Sequence, residues 1–186
     1  MEALLLSTFA VFIAEIGDRT QLLALVLATR FRRPWPIVAG IIVATLANHF
    51  AAAWAGQFAA DLLDPELLRW VLGIGFLLMA GWLLIPDSED EEAGLRYRFG
   101  PFLTTTVAFF LVEIGDKTQV ATVALGARFE SLAFVVIGTT LGMLLANIPV
   151  VVAGKLFADR IPMRWVHGIA AAIFALMGLW LLFNGL

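Results

Sequence analysis

A charged phrase of seven residues occurs twice within apolar surroundings, 98 positions apart. Its copies are residues 15–21, Glu-Ile-Gly-Asp-Arg-Thr-Gln, and residues 113–119, Glu-Ile-Gly-Asp-Lys-Thr-Gln. A charge at the centre of a membrane helix costs roughly 2.5 to 3.5 kcal/mol on insertion scales, so six unpaired charges would cost about 15 to 20 kcal/mol. This cost predicts that the charges have partners, and it makes both copies candidates for a functional site.

The composition is that of an integral membrane protein. Hydrophobic residues make up 61% of the chain, charged residues 15%, and the mean hydropathy is +0.94. The net charge of -3, with basic residues scattered along the chain, argues against a nucleic-acid partner. Because there is no cysteine, any metal ion must be bound by oxygen atoms or by the two histidines.

Six apolar stretches are long enough to cross a bilayer, and the separators between them are short. They predict an all-α integral membrane protein with transmembrane helices over residues 3–29, 36–60, 68–85, 102–127, 132–157 and 163–183. The first stretch is not expected to be a cleaved signal peptide, because it lacks a basic start and carries the motif.

Similarity between the two halves extends beyond the motif. Asn48 recurs as Asn147, and residues 79–84, Met-Ala-Gly-Trp-Leu-Leu, recur as residues 177–182, Met-Gly-Leu-Trp-Leu-Leu. The chain therefore reads as a tandem repeat of three helices.

An odd number of crossings per repeat starts the second repeat on the opposite side of the membrane, so the repeats are predicted to be inverted. We expect one membrane domain made of a first repeat over residues 1–86, an acidic cytoplasmic linker over 87–100 and a second repeat over 101–186. A pseudo-two-fold axis in the membrane plane would bring both motifs together at the midplane.

Basic residues in the loops predict the orientation, because cytoplasmic loops are enriched in Lys and Arg. The loops after the first, third and fifth helices hold Arg30, Arg32, Arg33, Arg96, Arg98, Lys155, Arg160 and Arg164. The opposite side holds Arg69 and Arg128. Both termini are therefore predicted to be non-cytoplasmic.

The acids of the motif are the candidate metal ligands. Glu15 and Asp18 are three residues apart and share a helix face, as do Glu113 and Asp116, so two helices can present four carboxylates to one cavity. Hard oxygen ligands of this kind suit Mg²⁺, Ca²⁺ or Mn²⁺.

Neighbouring residues can support this site. Gly17 and Gly115, between the acids, either let the helix unwind or allow close helix packing. Possible additional ligands are the amide side chains of Gln21, Gln119, Asn48 and Asn147. For the two asparagines, hydrogen bonding between helices is an equally good reading.

The basic residues of the motif set the charge of the site. In an unbroken helix Arg19 and Lys117 lie four residues after their glutamates, the favourable spacing for an ion pair. Each motif then sums to -1 and the whole site to -2, which one divalent cation or two protons would neutralise. We therefore hypothesise exchange of a divalent cation for protons.

The phrase Glu-x-Gly-Asp-(Lys/Arg)-(Thr/Ser), once in each repeat, resembles the MneA-like manganese exporter family, which is related to the Golgi manganese/calcium-proton exchangers. The resemblance implies export of Mn²⁺, and some transport of Ca²⁺, in exchange for protons by alternating access. It implies ion binding by the motif acids, with motif support from Gly17, Arg19, Thr20, Gly115, Lys117 and Thr118.

The resemblance also sets expectations for cofactors, partners and location. The divalent cation would be the transported substrate, with protons as counter-ion and no cofactor. We expect a multi-pass protein of the bacterial plasma membrane, either a monomer or a homodimer.

Other readings of the buried acids stay open. They can form a structural ion-pair network, an intramembrane aspartyl protease dyad of Asp18 and Asp116, or part of a cation channel. His49 has Ile148 as its counterpart in the second half, which favours a packed or cavity-lining histidine over a proton relay.

Overall fold

Eight α-helices form the part of the chain that the computed structural model describes, residues 1–84, 100–153 and 163–184. They are α1 (Glu2–Glu15), α2 (Arg19–Phe31), α3 (Pro34–Leu62), α4 (Pro65–Leu83), α5 (Gly100–Glu113), α6 (Lys117–Arg128), α7 (Leu132–Ala153) and α8 (Met163–Asn184). The expected all-α fold is confirmed for these residues.

Both motif copies interrupt a helix that the apolar pattern predicts as continuous. α1 stops at Glu15 and α2 begins at Arg19, and the same break separates α5 from α6. Gly17 has φ 85° and Gly115 has φ 77°, a left-handed conformation that costs a residue with a side chain roughly 1–2 kcal/mol. The spans predicted over 3–29 and 102–127 are therefore each two half-helices, and the predicted unwinding at the glycines is confirmed.

Close helix packing does not explain the glycine at the second break. A Cβ atom added at Gly115 would meet no heavy atom within 4 Å. Its positive φ angle is therefore the reason that the chain needs glycine at this position.

Three helices are individually long and apolar enough to cross a membrane, judged by length and composition in the described residues. They are Pro34–Leu62, Pro65–Trp82 and Leu132–Ala153. Gly100–Glu113, which is α5, and Ala171–Phe183, which is part of α8, are shorter apolar segments. The motif breaks explain why the first and fourth predicted spans are not among the long helices, since neither half of a broken helix reaches the length of a bilayer-crossing segment.

The described connections between α2 and α3, between α3 and α4 and between α6 and α7 are short, as predicted. Pro65 occupies the first turn of α4. The carboxylate of Asp64 accepts a hydrogen bond of 2.8 Å from the Glu66 backbone amide and so caps the N-terminus of this helix. The predicted linker over 87–100 lies outside the described residues except for Gly100, as do the predicted cytoplasmic residues Arg96, Arg98, Lys155 and Arg160.

Helices from opposite halves of the chain pack against each other. α1 packs on α7, and its counterpart α5 packs on α3. α3 also packs on α6, and α7 packs on α2, while each first half-helix meets the other repeat's second half-helix in the pairs α1–α6 and α2–α5. The two broken helices therefore lie side by side and are flanked by α3 and α7.

Small residues permit this close packing at equivalent places in the two halves. A Cβ atom on Gly40 would lie 2.7 Å from the Phe102 carbonyl oxygen and 2.8 Å from Thr105 Cβ. A Cβ atom on Gly138 would lie 2.6 Å from the Leu4 carbonyl oxygen and 2.9 Å from Ser7 Cβ. Every residue of the second contact is the counterpart, 98 positions away, of a residue of the first. The repeat seen in the sequence thus recurs in the packing.

The α4–α8 pair departs from this equivalence. The two helices cross where Gly73 meets Gly178. In addition, α4 packs against α6 and α8 packs against α1. Among the described residues, the equivalent contacts of α4 with α5 and of α8 with α2 are marginal at most. The α4–α8 pair therefore breaks the symmetry of the bundle.

Replacing Gly138 by Ala should destabilise the bundle. The added methyl group meets the backbone of α1, and overpacking of this kind costs roughly 1–3 kcal/mol. The control is Gly75→Ala in α4, where a Cβ meets nothing within 4 Å and the better helix propensity of Ala applies. Reversible unfolding by SDS in mixed micelles measures both free energies, and equal effects would contradict the packing described here.

Replacing Gly115 by Ala should also destabilise the protein, by roughly 1–2 kcal/mol, because Ala must adopt the left-handed conformation. Gly115→Asn should cost less, since Asn tolerates that conformation, although it is the larger side chain. The same unfolding titration ranks the two variants. A greater loss for Asn than for Ala would mean that space, and not φ, selects glycine at the break.

Candidate cation site between the two broken helices

Four buried carboxylates lie at the four half-helix ends that meet at the breaks. Glu15 and Glu113 are the last residues of α1 and α5, and Asp18 and Asp116 stand immediately before α2 and α6. Counted over all their atoms, none of the four residues is more than 5% exposed. The breaks therefore place all four acids inside the bundle.

The four acids are electrostatic neighbours. The Glu15 carboxylate interacts with those of Asp18, Asp116 and Glu113, and the Glu113 carboxylate interacts with both aspartates. In the described residues, however, no three Asp, Glu or His side chains are grouped closely enough to hold one metal ion as they stand. The two motifs therefore meet, but this conformation does not present a preassembled set of carboxylate ligands.

Each glutamate is held by an amide from the other half of the chain. Asn147 of α7 donates a hydrogen bond of 3.1 Å to Glu15 Oε1. Asn48 of α3 donates to Glu113 Oε2 at 3.3 Å and to the Phe110 carbonyl oxygen at 3.0 Å. The two asparagines, predicted either as ligands or as hydrogen-bonding residues, thus form an equivalent pair of links across the repeats.

Thr45 is a partner of Glu113 that the sequence reading missed. Its hydroxyl donates to Glu113 Oε1 at 3.0 Å, and the residue is fully buried. The available signal was spacing, because Thr45 precedes Asn48 by three residues and so shares its helix face.

Two oxygen atoms beside the first motif accept no hydrogen bond from the described residues. They are Glu15 Oε2 and Asn147 Oδ1, both buried, on side chains that are bonded to each other. Buried acceptors are normally satisfied, and an unsatisfied one costs about 1–3 kcal/mol. Paired carboxylate and amide oxygens are also the chemistry that a hard cation selects.

The two aspartates have different partners in spite of their equivalent positions. Asp116 caps α6, accepting hydrogen bonds from the Gln119 amide at 2.7 Å and from the Thr118 hydroxyl at 3.0 Å. Asp18 makes no such side-chain cap, and the Lys117 ammonium lies 3.9 Å from its Oδ1 atom. This arrangement does not favour a protease dyad, in which two aspartates share one proton.

The two motif threonines likewise act differently. Thr20 donates its hydroxyl to Glu15, whereas Thr118 donates to Asp116. In a regular helix neither threonine would face its glutamate, and the broken helix is what allows the contact between Thr20 and Glu15. Equivalent sequences therefore carry two different hydrogen-bond patterns.

The motif glutamines bind the backbone of the two helix breaks. Gln21 Oε1 accepts from the Gly17 amide at 2.8 Å, and Gln119 Oε1 accepts from the Gly115 amide at 2.7 Å. Gln21 also donates to the Ala146 carbonyl oxygen of α7 at 3.0 Å. These bonds satisfy amide groups that the interrupted helix leaves without a carbonyl partner. The spacing Gly-x-x-x-Gln is the sequence signal for this role.

The basic residues of the motif reach across to the other half, so the ion pairs expected within each helix are not the contacts observed. Arg19 donates to the Val112 carbonyl oxygen at 2.8 Å and lies within electrostatic range of Asp116. Lys117 reaches Asp18. The reason is the break, which removes the regular turn that would place a residue beside its fourth neighbour.

His49 is fully buried on α3 next to Asn48, and neither ring nitrogen has a hydrogen-bond partner among the described residues. A buried histidine in this state is a packed side chain, as the sequence asymmetry with Ile148 predicts. Its counterpart in α7 lies in an apolar cluster that includes Val150 and Val151.

The chain matches the sequence model of one protein family over nearly its whole length. The family is described as "Divalent cation/proton antiporter GDT1", and the match covers residues 3–91 and 101–186. No solved structure shows a significant match.

Individual relatives agree with this result. A Vibrio cholerae protein described as a "Putative manganese exporter" is 54% identical over 180 residues, covering 96% of this chain and 90% of its own length. A GDT1-like protein of Synechocystis is 26% identical over 192 residues, covering 90% and 92% of the two chains. A GDT1-like protein of Oryza sativa is 26% identical and shares 93% of this chain and 71% of its own length. The chain belongs to the GDT1 family of divalent cation/proton antiporters.

Proposed function

We propose that this antiporter exports Mn²⁺ in exchange for protons, using the cluster of Glu15, Asp18, Glu113 and Asp116 as its cation site. Membership of the antiporter family and the description of the Vibrio cholerae relative support the transported ion. The observation that carries the site is the meeting of both motifs at the two helix breaks, with oxygen atoms of Glu15 and Asn147 left unbonded. Ca²⁺ is a second substrate, because the donors are all hard oxygen atoms.

The proposed ligand set is assembled when the ion enters. The acids supply the charge, and the amide oxygens of Asn48 and Asn147 complete the coordination from α3 and α7. The Gln21 and Gln119 oxygens accept from glycine amides at the breaks, so these side chains keep the half-helix ends in place. Carbonyl oxygens at the ends of α1 and α5 add partial negative charge towards a cation.

The charge of the site sets the exchange. Four carboxylates with Arg19 and Lys117 sum to -2, since 4 acids and 2 bases are present. One Mn²⁺ or two protons neutralise this charge. A low-dielectric interior penalises a net charge strongly, so the site is expected to alternate between these two neutral forms and not to stay vacant.

Alternating access is proposed to follow from two inverted repeats of three transmembrane segments, with the first and fourth segments broken at the motifs. Support comes from the matching helix pairs of the two halves and from the unequal contacts of the α4–α8 pair among the described residues. The α4–α8 pair packs against α1 and α6. In a conformation in which the two repeats exchange roles, the pair would pack against α2 and α5. Movement between these two arrangements would expose the cluster to either side in turn.

The protein is proposed to lie in the bacterial plasma membrane with both termini outside the cytoplasm. The excess of Arg and Lys in the loops after the first, third and fifth segments supports this orientation. Mn²⁺ would then leave the cell in exchange for entering protons. The protein would act as a monomer or a homodimer.

Neutralising one aspartate from each half should abolish exchange. We expect Asp18→Asn and Asp116→Asn each to lower Mn²⁺ flux by about 100-fold, because each removes a buried charged partner from a single shared site. The measurement uses proteoliposomes loaded with a Mn²⁺-sensitive dye under an imposed pH gradient, repeated with Ca²⁺. The control is Glu66→Gln, whose side chain is 76% exposed.

Loss in only one of the two aspartate variants would contradict a site built from both halves. Absence of Mn²⁺ and Ca²⁺ flux in the unmodified protein under every gradient would contradict the proposed function itself. Unitary currents without proton coupling would mean a channel instead.

A further inference from the structure

Lys117 is the basic group most deeply engaged with the acids. Its side chain is 4% exposed, that of Asp18 is 6% exposed, and the ammonium lies 3.9 Å from the Asp18 carboxylate. The two residues come from different repeats, so the pair joins the first motif to the second. A buried ion pair of this kind repays the desolvation of Asp18 only while the ammonium stays in contact.

Arg19, at the equivalent position, is bound in a different way. Its guanidinium donates to the Val112 carbonyl oxygen at 2.8 Å and so fixes the end of α5. A guanidinium is a flat set of fixed donors, whereas an ammonium is a compact point charge on a flexible stem. In charge density, Lys117 is the closer imitation of a metal cation.

We propose that Lys117 is an internal competitor for the cation site, whose ammonium binds Asp18 in place of a divalent cation and, when the ion binds, moves off Asp18 without leaving the cluster. This inference rests on the proposed function, since it takes Asp18 as a ligand. The physical reason is repulsion, because an ammonium and a divalent cation at contact distance from the same carboxylate repel each other in a low-dielectric interior. The return of Lys117 then expels the ion and keeps the affinity low enough for release.

The proposal makes opposite predictions for two substitutions. Lys117→Met keeps the length of the side chain and removes the charge, so the Kd for Mn²⁺ should fall by about tenfold or more. Lys117→Arg should raise the Kd by about threefold or more, because a guanidinium can bind a carboxylate through two parallel hydrogen bonds and competes more strongly. Mn²⁺ titration of the purified full-length protein, followed by calorimetry, measures both constants.

The matched control is Arg19→Met, which removes the same charge from the equivalent position of the other repeat. It should lower the Kd severalfold less than Lys117→Met does, because the Arg19 guanidinium donates to a backbone carbonyl oxygen and does not have to give up a carboxylate of the site. Equal tightening in Arg19→Met and Lys117→Met would reduce the effect to general charge repulsion and overturn the assignment to Lys117. A purely structural Lys117 would give weaker or unchanged Mn²⁺ binding in Lys117→Met, which also overturns it.

A chemical complementation covers the case in which Lys117→Met does not fold. In Lys117→Ala, added ethylammonium should compete with Mn²⁺ and raise the apparent Kd in proportion to its concentration, while the unmodified protein shows no such competition. Intact Mn²⁺ binding without competition would overturn the proposal. If the unmodified protein neither binds nor transports Mn²⁺, the proposed function fails first; if it does both and only these variants disagree, this inference alone fails.

Discussion

The dominant constraint on this structure is the burial of four carboxylates and the Lys117 ammonium within apolar segments. Charges in such surroundings require partners, and a continuous helix cannot supply them because its own backbone groups are all engaged. The helix breaks at Gly17 and Gly115 leave backbone amide and carbonyl groups without intrahelical partners next to the acids. They also allow Arg19 and Lys117 to reach the opposite repeat. Much of the rest follows: Gln21 and Gln119 satisfy the freed amides, and α3 and α7 pack closely enough to hold the two glutamates.

The sequence could predict the elements of the site but not its contacts. Repetition and burial cost indicated the four acids as candidate ligands, and glycine between two acids predicted either unwinding or close packing, of which the structure contains the unwinding. Spacing along an ideal helix then misled, because it paired Arg19 and Lys117 with the glutamates of their own motifs. The observed partners depend on how two broken helices pack, which is a long-range property that no local spacing encodes. Spacing places Thr45 on the same helix face as Asn48, but its contact with Glu113, 68 residues away, depends on the same packing.

Asymmetry between nearly identical halves is what connects this fold to transport. Asp116 caps a helix while Asp18 faces Lys117, and Thr20 and Thr118 bond to different acids. Two copies of one motif would make the same bonds if the structure were symmetric. A protein that exchanges an ion between two sides needs two conformations, and in the mechanism we propose these bond patterns are exchanged between the repeats when one conformation becomes the other. The α4–α8 pair, which packs against α1 and α6, is a further asymmetry of the same kind.

In the function proposed here, both motifs form one site with a charge of -2 that is neutralised either by one divalent cation or by two protons. Its most direct test is the simultaneous measurement of Mn²⁺ flux, proton flux and charge movement in proteoliposomes held at different membrane potentials. We expect two protons for each Mn²⁺, no net current and a rate that does not change with the membrane potential. One proton per ion, with a current carried by the Mn²⁺, would contradict it.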